Sequence, residues 1–75
     1  MITVEDLEEM LAEQFPGDPI TVEDMTGTSD HFDVSIVSAR FEGLSLIEQH
    51  KLVHAACAEH LGGAIHALKI KTRTP

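Results

Sequence analysis

Residues 31–38, HFDVSIVS, alternate polar and apolar side chains along their whole length. Phe32, Val34 and Ile36 fall on one parity, and His31, Asp33 and Ser35 on the other. A period of two marks a strand with one buried face. The polar stretch Thr26-Gly27-Thr28-Ser29-Asp30 precedes it, and before that Ile20 to Met25 reads as a shorter strand with Ile20 and Val22 on one face. A loop this short makes the two strands antiparallel neighbours.

Downstream, Ala39 to Leu44 reads as a turn or half-helix. Ser45 caps a helix running to about Leu61, with Glu48 three residues on completing a capping box. Gly62-Gly63 stops that helix. The last strand, Ile65 to Thr72, alternates again. Because a helix returns the chain, this strand is expected to run parallel to 31–38 through a right-handed crossover. At the other end Thr3 is an N-cap for a helix reaching Gln14, with Asp6 three residues on and a stripe of Val4, Leu7, Met10 and Leu11. Phe15-Pro16-Gly17-Asp18-Pro19 ends it. The order α-β-β-(short turn)-α-β predicts an α+β fold: one domain over residues 1–75, a three-stranded mixed sheet with the helices packed on one face.

Composition narrows the function classes. The chain has 75 residues, 43% of them hydrophobic, which suffices for one small core. Three Phe with no Trp or Tyr leave aliphatic side chains to supply most of the buried area. A single cysteine, Cys57, excludes an intramolecular disulfide. The acidic, amphipathic start MITVEDLEEML lacks the basic flank and apolar run of a signal peptide, and no apolar run approaches the ~20 residues of a membrane span. A soluble, cytoplasmic protein is the expectation. The net charge of −8 opposes wholesale phosphate binding, although Lys51, Lys69, Lys71 and Arg73 gather in the second half and leave a local basic patch open.

The histidines are the chemical candidates. His50, His54, Cys57 and His60 recur at helical spacing, but they share an arc with Leu46, Val53 and Leu61, read as the inward stripe. His50 and Cys57 are therefore assigned to packing, and His54 and His60 to the boundary or surface. His66 stands at the mouth of the last strand, on the parity of Leu68 and Ile70, and His31 opens the strand 31–38. Parallel strands begin at the same end of a sheet, so the crossover brings both imidazoles to one edge. Two imidazoles do not complete a transition-metal site, so further ligands must come from elsewhere. Catalysis has little support. Ser29, Asp30 and His31 are contiguous in sequence and not a convergent triad, and Gly62-Gly63 follows a helix where a phosphate cradle would open one.

An ordered set of short motifs adds to this reading: Ser29-Asp30-His31-Phe32, Ile36-Val37-Ser38, Phe41-Glu42-Gly43-Leu44-Ser45, Gln49-His50-Lys51-Leu52-Val53, and Ile65-His66-Ala67-Leu68 with Lys71-Thr72 and Thr74-Pro75. In order and spacing, across roughly residues 20 to 75, they resemble the BolA-like proteins. The resemblance implies an α-β-β-α-α-β fold related to the type II KH domain. It implies a non-enzymatic adaptor, monomeric or weakly homodimeric alone, that partners a monothiol glutaredoxin and shares a 2Fe-2S cluster with the glutaredoxin's cysteine and a glutathione thiolate. The family's C-terminal ligand falls on His66. Its second ligand belongs to the loop between the first two strands, where His31 is the candidate here and a cysteine-bearing subgroup places its ligand near Thr28. Lys51, Lys69, Lys71 and Arg73 would orient the partner or glutathione's carboxylates. The family's R-H-R run is Gln49-His50-Lys51 here, which weakens a basic surface linked to DNA and to glutaredoxin docking. The rival reading is a KH-like nucleic-acid-binding transcriptional regulator, but Phe41 to Ser45 carries no GxxG clamp.

Overall fold

The computed structural model describes residues 2–25, 27, 31–58, 65 and 67–75. Helix α1, Val4–Gln14, begins with a complete capping box: Thr3 Oγ1 accepts from the Asp6 N–H and Asp6 Oδ2 accepts from the Thr3 N–H, both at 3.1 Å. Its apolar stripe buries Leu7 and Leu11, with Val4 and Met10 packed alongside. The helix ends at Phe15, whose N–H still reaches the Leu11 carbonyl at 2.8 Å, and Gly17 takes φ +78° in the turn that follows.

Strand β1, Ile20–Asp24, pairs antiparallel with β2, His31–Val37, in a register that sets Val22 against Val34. Ser38 then caps a single 3₁₀ turn, Ala39–Phe41, and Gly43 follows at φ +77°. Helix α2, Leu46–Ala56, has the second capping box, formed by Ser45 and Glu48. Strand β3, Ala67–Arg73, lies parallel to β2, giving the sheet order β1-β2-β3. The antiparallel and parallel pairings therefore match those read from loop length and crossover. The middle helix of the implied α-β-β-α-α-β order is reduced to the 3₁₀ turn among the described residues.

Helix α1 packs on β1, α2 packs on β3, and the helices touch each other. Between helices and sheet lie Leu7, Leu11, Phe15, Val22, Phe32, Val34, Ile36, Phe41, Val53, Cys57 and Ile65. All three phenylalanines are buried, Phe15 and Phe41 with ring centroids 5.4 Å apart. The Arg40 guanidinium sits 4.9 Å over the Phe15 ring and donates to the Gln14 carbonyl, so one side chain closes both the last turn of α1 and the aromatic pair.

Two expectations change. Helix α2 ends at Ala56, with Cys57 as its cap, instead of continuing to about Leu61; the Cys57 N–H reaches back three residues to the His54 carbonyl at 3.1 Å, which tightens the last turn. Residues 59–64 lie outside the described residues. Leu46 is not on the inward stripe but 62% exposed, and Ile47 is 70% exposed. The covered arc is instead Gln49, Leu52, Val53, Ala56 and Cys57, spaced three and four apart, and Leu46 belongs to a first turn outside it.

Candidate metal and partner site at the start of the parallel strands

The register of β2 on β3 decides what the sheet edge presents. His31 pairs with Ala67, the residue that follows His66 in the sequence, and the ladder continues Phe32↔Leu68, Asp33↔Lys69, Val34↔Ile70, Ser35↔Lys71 and Val37↔Arg73. His31 is half-buried at the first position of β2, and its carbonyl accepts from the Met25 N–H at 2.8 Å. Position 66 and the alternative ligand position Thr28 lie outside the described residues. Asp24 Oδ1 accepts from the Gly27 N–H at 3.0 Å at the start of the intervening loop.

The cationic candidates divide between the two layers. Lys69, Lys71 and Arg73 share one parity of β3, opposite to that of Leu68 and Ile70, and so lie on the sheet face away from the helices. Lys71 Nζ is 3.9 Å from Asp33 Oδ2. With the Lys71 side chain 60% exposed, that pair is worth at most about 0.5 kcal/mol. Lys51 lies instead on the exposed side of α2, in the helical layer, and does not join this row.

The two residues assigned to packing are placed by α2. His50 is half-buried and Cys57 is in the core, where burial pushes its thiol up to about 11. A thiol so protonated at neutral pH is a poor nucleophile and a poor ligand. Among the described residues no three His, Cys, Asp or Glu side chains converge to hold a metal ion. His31 is one nitrogen donor at the sheet edge, so the donor set described here fits a metal group only if other ligands join it.

One polar link has no local signature in the sequence, because Gln49 and Thr72 lie 23 positions apart. Gln49 Nε2 donates to the Leu44 carbonyl at 3.0 Å, and Gln49 Oε1 accepts from Thr72 Oγ1 at 2.5 Å. The amide replacing the expected arginine therefore ties α2 to both the preceding loop and β3. A hollow of about 410 Å³ between α1 and β1, lined by Glu5, Glu8, Glu9, Ala12, Asp18 and Ile20, is on the far side of the sheet from β3.

Residues 2–75 match the family model described as BolA-like protein. A Rickettsia prowazekii protein, RP812, is 45% identical over 71 residues, covering 95% of this chain and 92% of that protein. Human BolA-like protein 1 is 61% identical over 49 residues, 65% of this chain but only 36% of the human protein. Among solved structures, BolA1 from Arabidopsis thaliana superposes with a TM-score of 0.87 at 31% identity, covering 100% of this chain and 95% of that one. The BolA domain of Arabidopsis SufE1 gives 0.85 at 31% identity (96% of this chain, 91% of that one), and yeast Fra2 gives 0.81 at 32% identity (97% and 80%). A capped α-β-β-α-β chain with parallel β2 and β3 is thus the architecture of a known class of small domains. The chain belongs to the BolA-like protein family.

Proposed function

We propose that the chain is a non-enzymatic adaptor that docks with a monothiol glutaredoxin and contributes imidazole ligands to a shared 2Fe-2S cluster, in iron–sulfur trafficking or iron sensing. The observation that carries the reading is the parallel register of a BolA-like chain in which His31 stands opposite Ala67, next in sequence to His66. His66 and His31 would hold one side of the cluster. The chain's own thiol is withdrawn into the core, so the thiolates a ferric cluster prefers must come from the partner and glutathione. Histidine in place of two thiolates raises a cluster's potential, which suits exchange or sensing. Lys69, Lys71 and Arg73 would meet carboxylates of the partner or of glutathione, with Lys51 a separate contact on the helical side.

The test is co-expression with a monothiol glutaredoxin, read by visible absorption and circular dichroism. The expected result is a cluster spectrum distinct from that of the glutaredoxin homodimer, lost in His66→Ala. An unchanged spectrum in that variant would sink the ligand assignment. His31→Ala tests the second ligand separately, and unaltered coordination there moves it to another residue of the loop. The KH-like alternative gains nothing from the surface: the exposed row on β3 holds three cations, one of them already beside Asp33, in a chain of net charge −8.

A further inference from the structure

Strand β3 ends the sheet order, and its backbone can be oriented from a single bond. The Ser38 N–H donates to the Arg73 carbonyl at 2.9 Å, so the backbone groups of Arg73 face β2. Successive residues of a strand turn their N–H and C=O to opposite edges. Lys69 and Lys71 therefore face β2 as well, while the N–H and C=O of Leu68, Ile70 and Thr72 face away from it. No described strand lies on that side, and among the described residues no loop or cap hydrogen bond engages these groups.

The side chains at this edge are equally suited to a neighbour. Leu68 and Ile70 pack against the core but are only half-buried, whereas Phe32, Val34 and Ile36 on the central strand are fully buried, so part of the apolar surface of β3 remains accessible. On the other face stand the exposed Lys69, Lys71 and Arg73, three of the five Lys and Arg residues in the chain. We propose that this edge accepts an extended acidic segment of a partner protein as a fourth strand, with Asp or Glu at every second position against the cation row and apolar residues between them against Leu68 and Ile70. Backbone bonding would supply the affinity, and the alternation the specificity. Charge complementarity selects this occupant. A second copy adding β3 to β3 would oppose cation to cation, which destabilises a cross-strand pair. The proposal rests on the partner-binding reading above and specifies one mode of it.

A capped seven-residue peptide of alternating glutamate and valine, titrated into the ¹⁵N-labelled chain at low salt, tests it without metal or glutaredoxin. A failure here therefore leaves the cluster reading standing, and the reverse. The expected result is saturable shifts confined to Leu68–Arg73, with amide exchange slowed at Leu68, Ile70 and Thr72. The exposed-site double variant Lys69→Glu/Arg73→Glu should weaken binding by about tenfold or more. An antiparallel fourth strand turns its valine N–H groups to β3 and a parallel one its glutamate N–H groups, so a peptide N-methylated at both residue types should not bind. Three outcomes overturn the proposal: equal binding of the N-methylated peptide, which leaves only a charge contact; shifts centred on α2 or no saturation; and concentration-dependent pairing of the free chain through its own β1, which makes the occupant a second copy.

Discussion

Gln49 is the residue whose removal most sharply tests how the layers are held in place. Its amide donates to the Leu44 carbonyl and accepts from the Thr72 hydroxyl, so a single side chain spans the loop before α2, the helix and β3. A neutral hydrogen bond contributes about 1 kcal/mol net, and the groups orphaned at this half-buried site recover part of that by binding water. Gln49→Ala should therefore destabilise the chain by about 1–2 kcal/mol, which for a domain of this size lowers Tm by roughly 5–15 °C. Thr72→Val breaks one bond and should cost about 1 kcal/mol, and a double-mutant cycle in urea should give a coupling of about 0.5–1 kcal/mol between the two positions. Gln49→Arg is the informative intermediate, since a guanidinium can still donate to Leu44 but cannot accept from Thr72. A Gln49→Ala cost below about 0.5 kcal/mol, or a coupling of zero, would refute the link as a structural tie.

Ser45→Ala should cost about 1 kcal/mol through loss of the α2 cap. The Glu48 carboxyl is held below its usual 4.5 first by the Ser45 N–H and then by the Ser45 hydroxyl; alanine keeps the N–H, so an NMR titration should show that carboxyl's pKa rising only part of the way back. Because the folded pKa is depressed, the stability contribution is present above 4.5 and fades as pH falls through the folded value. Cys57 has the opposite sign: its thiol goes from 9.0 up to about 11 by burial, so the unfolded chain ionises first and stability falls as pH rises from about 9 to 11. Urea midpoints across that window should drop in the wild type and stay flatter in Cys57→Ala. A thiol reagent should react with Cys57 only as fast as the chain opens. Finally, Val53→Ala should cost about 2 kcal/mol and Leu46→Ala less than about 0.5 kcal/mol, the reverse outcome restoring Leu46 to the buried stripe.

The sheet was legible because its strands announce themselves by parity. HFDVSIVS has one face buried without exception, and the short loop and the helical crossover dictate one antiparallel and one parallel neighbour. Both capping boxes were legible because they are local, three residues apart. The end of α2 was not, since alternatives that differ by one turn keep the same periodicity and only tertiary contacts choose between them. Leu46 misled for the same reason: its spacing from Val53 fits a helix face, but its turn lies outside the arc that meets the sheet. Arg40 over Phe15 and Gln49 against Thr72 join residues 25 and 23 positions apart, distances at which sequence carries no pairing signal. Placing His31 at the edge followed from parity and crossover, whereas assigning His66 as a ligand came only from the family's motifs.

The most direct measurement of the central claim is pulsed EPR of the reduced complex, prepared from this chain with ¹⁵N-histidine and an unlabelled monothiol glutaredoxin. Two strongly coupled ¹⁵N nuclei are expected, one lost in His66→Ala and the other in His31→Ala. A cluster that assembles in the complex without any strongly coupled ¹⁵N would contradict the account.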